Sequence, residues 1–131
     1  MPRYLIIRGA RRAIEEAVDR FLRDIYRYNS LLRGTGYYLK PVHIVTRETR
    51  FGRLRYIYIG RYWWRLERRG GRLRWRYVGR EKPAELADVP EPPSSPLSGL
   101  VYAVKGDDVI IRLEVYRRFR WLFEGFEAEQ L

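Results

Sequence analysis

Interleaved guanidinium groups and flat rings are the chemistry this chain offers. Residues 60–80 read GRYWWRLERRGGRLRWRYVGR, with eight arginines, five tyrosines or tryptophans and a single carboxylate, Glu67. A guanidinium fork fits a phosphate with two parallel hydrogen bonds, and it also stacks on a base. Aromatic rings stack on unpaired bases, each worth roughly 1–3 kcal/mol. Duplex DNA hides its base faces and is usually read by a helix in a groove. Rings and arginines on one hairpin therefore point to a single strand. RNA single strands obey the same stacking logic, so the pattern favours neither DNA nor RNA.

Other chemistry is poorly represented. The chain has no cysteine, which removes disulfides and thiolate metal sites. It has one histidine, His43, with no carboxylate or nucleophile positioned beside it, and His43 reads as structural. Asp107 and Asp108 are adjacent, as in a turn or a helix cap. The RRGG stretch lacks the lysine and the helix context of a phosphate loop. The expectation is a protein that is not an enzyme and uses no cofactor or metal.

Charge placement sharpens this. The net charge is +11 over 131 residues. Residues 40–80 hold 13 Lys or Arg against two carboxylates, Glu48 and Glu67, and the remaining 90 residues are balanced at 14 of each sign. A neutral scaffold with one basic module suggests a polyanionic partner. Twenty-four of the 27 cations are arginine, a bias that GC-rich coding would also produce. Asn and Gln occur once each, at Asn29 and Gln130, and Met only at the start, the scarcity expected of a hyperthermophile. The MPRYLIIRGARR start is too short in apolar residues for a signal peptide, and no run is long enough for a membrane span. A soluble, cytoplasmic protein without membrane contact is expected.

The elements that must position these groups follow from periodicity. Tyr4–Arg8 is a short strand. Apolar residues at 14, 17, 18, 21, 22, 25, 28 and 32 predict an amphipathic helix over 10–33. Strands are expected at 40–47, 53–68 and 72–79, with a bend or bulge at Gly60 and a two-residue turn at Gly70-Gly71. That turn sets a register: Arg69 opposite Arg72, Glu67 opposite Arg74, Leu66 opposite Trp75, Arg65 opposite Arg76 and Trp64 opposite Tyr77. One face then holds Trp64, Leu66, Leu73, Trp75 and Tyr77, and the other Arg65, Arg72, Arg74 and Arg76, relieved only by Glu67, with Trp63 and Val78. An ordinary helix-covered sheet would make Trp64, Trp75 and Tyr77 core, but the sequence leaves open which face is free. Residues 83–98 form a proline-rich linker or ordered loop. A strand is expected at 100–104. The 4-3-3-4-3 spacing of Val109, Leu113, Tyr116, Phe119, Phe123 and Phe126 predicts a helix over 109–127, although DVIIRLEV also alternates as a strand would.

This element order, with YIYIGRYWWRLERRGGRLRWRYVGREKP in the sheet, resembles the ThermoDBP family of single-stranded-DNA-binding proteins from hyperthermophilic archaea, over residues 10–83. The resemblance implies a fold distinct from the OB barrel, a cleft of exposed rings flanked by cations, and a homo-oligomer, dimeric or larger. The expectation is one α+β nucleic-acid-binding domain over 1–131. It consists of an N-terminal helix on a bent antiparallel sheet (basic and aromatic over 40–80) and a C-terminal helix within 100–131. Single-stranded DNA is the expected partner, bound without sequence preference, with RNA or a protein partner as alternatives. Arg53, Arg55, Arg61, Arg65, Arg72, Arg74 and Arg76 are the candidate phosphate contacts. Tyr56, Tyr58, Trp63 and Trp75 are the candidate stacking rings, with Trp63 foremost.

Overall fold

Alternation along the strands and a 4-3-4-3 stripe on one helix organise the chain. A computed structural model describes residues 3–131. In order come β1 (Tyr4–Ile7), α1 (Arg11–Asn29) with a 3-10 turn (Ser30–Leu32), β2 (Tyr37–Thr49), β3 (Gly52–Arg69) and β4 (Arg72–Gly79). After a 3-10 turn (Ala84–Leu86) follow β5 (Val101–Lys105), β6 (Asp108–Arg112), α2 (Leu113–Arg118), a further 3-10 turn (Arg120–Phe123) and β7 (Ala128–Gln130). The fold is α+β. All seven strands join one antiparallel sheet of order β2-β3-β5-β6-β1-β7, with β4 also on β3, and the sheet is not closed into a barrel.

The helix α1 buries Ile14, Val18, Phe21, Ile25 and Tyr28 on one side of the sheet. Strand residues of opposite parity to the outer face meet it: Leu5, Ile7, Leu39, Ile59, Trp63, Tyr102, Val109 and Ile111. Its exposed side carries the ion pairs Arg11–Glu15 and Arg12–Glu16, one turn apart. The chain's one asparagine ties the helix end to the sheet: Asn29 Nδ2 donates to the Leu39 carbonyl and Oδ1 accepts from the Leu39 N–H, both at 2.9 Å. On the other side of the sheet a smaller cluster forms from Ile6, Leu54, Ala103 and Ile110, lined by Tyr4, Phe51 and Tyr56.

Strand β3 is the spine of the molecule. Its first half pairs with β5 over Arg55–Tyr58, and its second half pairs along the same edge with β4 over Trp63–Arg69. On its other edge runs β2, with a register shift between Lys40 and Val42 where Gly60 and Arg61 oppose Pro41. This is the bulge expected at Gly60. A Cβ there would lie 3.2–3.4 Å from the Tyr62 phenol, so the missing side chain lets that ring lie back along the strand. The proline-rich segment is an ordered loop: Leu86 and Leu97 enter the core, and the Tyr28 hydroxyl donates to the Pro90 carbonyl at 2.5 Å.

The C-terminal helix expected over 109–127 is corrected. Asp108–Arg112 is strand β6, hairpinned to β5, and only Leu113–Arg118 is α-helical. Val109, Phe119 and Phe123 are buried as the stripe required. Their burial comes from a strand, a short helix and a 3-10 turn in succession. Asp108 caps no helix; its Oδ1 accepts from the Gly9 N–H at 2.8 Å.

Candidate functional site

The β3–β4 hairpin follows the register set by Gly70-Gly71, including Trp64 opposite Tyr77, Arg65 opposite Arg76 and Leu66 opposite Trp75. Strand alternation then sends the two tryptophans of the WW pair to opposite faces. Trp63 belongs to the helix face. It is 0% exposed and meets the Tyr28 ring edge-on at 6.2 Å. Trp63 is therefore removed from the stacking set: α1 covers its face, and no base reaches it.

The open rings lie on the other face, which settles a choice the sequence left open. Trp75 is 53% exposed, Tyr77 44% and Leu73 60%. No helix packs there, because α1 is already seated on the opposite side. The rings form a connected array. Trp75 lies 6.0 Å from Tyr38, which pairs in register with Trp64. Trp64 lies 5.4 Å from Tyr77, and Tyr77 6.4 Å from Tyr62. His43 is 5.8 Å from Tyr62 and 6.0 Å from Tyr58. Most of these contacts are tilted, so faces as well as edges remain available.

Trp64 divides this surface into two adjoining cavities. One, of about 410 Å³, is lined by Tyr38, Lys40, Trp64 and Trp75. The other, of about 330 Å³, is lined by Lys40, His43, Tyr62, Trp64 and Tyr77. Lys40 borders both. The Trp64 Nε1–H is buried without an acceptor among the described residues. Partial burial pushes the Tyr38 and Tyr62 phenols above the ordinary tyrosine pKa, so both are protonated donors at neutral pH.

The cations nearest these rings are not those expected. Arg80 lies 6.0 Å from the Tyr62 ring, whereas Arg47, 5.8 Å from Tyr56, and Arg50, 4.7 Å from Phe51, sit on rings of the small cluster at the far end of the same face. Lys40 is on the ring face itself, opposite Tyr62. By contrast Arg53, Arg55, Arg61 and Arg65 have the parity of Ile57 and Ile59, on the helix face. Arg72, Arg74 and Arg76 oppose Arg69, Glu67 and Arg65 and share that side. Several are engaged: Arg61 Nη2 donates to the Pro92 and Pro93 carbonyls at 3.2 and 2.9 Å, and Arg76 pairs with Glu67 at 2.7 Å. Arg65 lies 4.0 Å from Glu85 and 5.7 Å from the Tyr37 ring, and Arg53 3.7 Å from Glu48. These arginines and the open rings cannot share one floor, since alternate residues leave a strand in opposite directions. Of the expected stacking rings, Tyr58 and Trp75 stand on the open face, and Tyr56 lies at its far end against the small cluster.

Among the described residues no group of three or more His, Asp or Glu is placed to hold a metal, and no helix is long and apolar enough to cross a membrane. No protein-family model matches this chain, and neither a curated protein nor a solved structure does. The site is thus described by its own geometry. Tyr38, Lys40, His43, Tyr62, Trp64 and Tyr77 were missing from the sequence-based set. Extending the hairpin register across to β2 would have found Tyr38 and Lys40, given which face α1 covers.

Proposed function

We propose that this protein binds single-stranded DNA through the open ring face, without sequence preference. The observation that supports it is the pair of ring-lined cavities on either side of Trp64 with Lys40 between them. Each has the size and flatness for one base, and an ammonium group between successive bases lies where the strand's phosphate passes. Stacking on Trp75 and Tyr38 in one cavity and on Tyr62 and Tyr77 in the other is indifferent to base identity, because every base has a π-face. Arg47, Arg50 and Arg80 border the path and contribute the salt-dependent part of the affinity. The resemblance of residues 10–83 to the ThermoDBP family would agree with this reading.

The test is fluorescence anisotropy with labelled oligo-dT, oligo-U and a duplex of equal length at two salt concentrations. Preference for oligo-dT, with log K against log[salt] falling at a slope of roughly −3 for about four phosphates, supports the proposal. Preference for oligo-U reassigns the surface to RNA. Equal or tighter duplex binding, or a flat salt dependence, overturns it.

A further inference from the structure

Strands β4 and β5 share one edge of β3 but do not meet. β4 ends at Gly79, whose partner is Trp63, and β5 begins at Val101, whose partner is Tyr58. The Ile59 N–H and carbonyl still pair with Leu100 and Gly99, so the edge of β3 left between them, from Gly60 to Tyr62, is a notch in the sheet. Two cavities open onto it. One, of about 440 Å³, is floored by Gly60 with Tyr58, Tyr62, Ser98 and Gly99 around it. The other, of about 350 Å³, is bounded by Trp63, Lys82, Glu81 and Glu91. Arg61 and Arg80 line both.

The charges and donors here are unbalanced. Neither Arg61 nor Arg80 takes part in an ion pair among the described residues, whereas Lys82 is paired with Glu91 at 3.6 Å. Glu81 is exposed at the rim. Arg61 uses one terminal nitrogen on the Pro92 and Pro93 carbonyls and keeps its other donors. The Trp63 indole, 0% exposed, forms part of the wall, and its Nε1–H meets no acceptor among the described residues.

We propose that this notch is a phosphate site, in which Arg61 and Arg80 together hold one phosphate group, with the Trp63 indole behind the wall as its reporter. Two guanidinium groups without carboxylate partners fit its charge and, by their planar forks, its oxygens. The inference rests on the proposed function only for the source of the phosphate. Arg80 also borders the Tyr62 ring, so a strand crossing the ring face has a phosphate within reach of the notch.

The test uses the four indole N–H resonances in a ¹⁵N–¹H spectrum. The Trp63 signal is identified by its loss in Trp63→Phe, or by elimination with Trp64→Phe, Trp75→Phe and Trp121→Phe if that variant does not fold. Inorganic phosphate, against chloride of matched ionic strength, should move the Trp63 signal saturably. Arg80→Gln should weaken that response about tenfold or more, the loss of one charged hydrogen-bonded contact. A Trp63 signal indifferent to phosphate, or equally moved by chloride, overturns the site. Oligo-dT bearing a 5′-phosphate, a 3′-phosphate or neither then names the source: movement with all three assigns an internal diester, and movement only with one end group assigns a terminus. Oligonucleotide binding that leaves both inorganic phosphate and Trp63 without effect on each other overturns the notch and keeps the ring face. A phosphate response without oligonucleotide binding overturns the ring face and keeps the notch for a small phosphate compound.

Discussion

Trp63 and Trp64 are consecutive in β3 and look in opposite directions: Trp63 meets the Tyr28 ring at 6.2 Å inside the core, and Trp64 meets the Tyr77 ring at 5.4 Å on the open face. One strand therefore serves two surfaces, and if the open face binds as proposed, substitutions at neighbouring positions should separate stability from binding.

Trp75→Ala should leave the fold intact and weaken oligo-dT binding by about 5- to 150-fold, the range of one lost stacking contact. Trp63→Ala should instead cost about 3–5 kcal/mol of stability by opening a core cavity. Thermal denaturation beside anisotropy titrations distinguishes the two; unchanged affinity in Trp75→Ala counts against the ring face.

Lys40→Gln should weaken binding most at low salt and make the log K against log[salt] slope shallower by about 0.7, one single-strand phosphate contact. Arg72→Gln, on the opposite face, should leave the slope unchanged. Titrations at four salt concentrations check both.

Asn29→Ala should destabilise by about 2–3 kcal/mol, since both backbone groups of the buried Leu39 lose their partners. Urea unfolding measures this.

Asp108 should make stability fall in acid. The Gly9 N–H, and less strongly Arg8, hold its carboxyl below the ordinary aspartate range of about 3.9. The folded state therefore binds that proton less readily than the unfolded chain. The stabilisation is fully present above the ordinary value and is lost as pH falls through the lower, folded one. Asp108→Asn should lower the melting temperature at pH 7 and make little difference at pH 2.

The Gly70-Gly71 turn made the hairpin register legible, because a two-residue loop leaves one pairing and fixes every cross-strand partner to Trp64–Tyr77. The α1 stripe and the bulge at Gly60 were legible from spacing and from the missing side chain. The face that α1 covers was not. Alternation sorts Trp63 from Trp64 but does not say which side is dry; that is decided by Ile57, Ile59 and Leu39, whose parity links the hairpin to the core. The tail misled for a related reason. Val109, Phe119 and Phe123 repeat at helical intervals, yet burial is all that spacing reports, and Asp107 with Gly106 lets the chain turn back as a strand before any helix begins.

Beyond Trp63 the ribbon of β3 and β4 is held by no third strand on the β4 side, and its tip is two glycines with positive φ. Such a tongue is a ruler graduated in residue pairs. Adding one residue to each arm twice over restores every side chain to its own side and lengthens the platform by about 7 Å. Adding a single residue to one arm leaves it unpaired, as a bulge of the kind already present at Gly60. On the proposed function, the footprint would therefore change in whole steps while the core beneath Trp63 stays untouched.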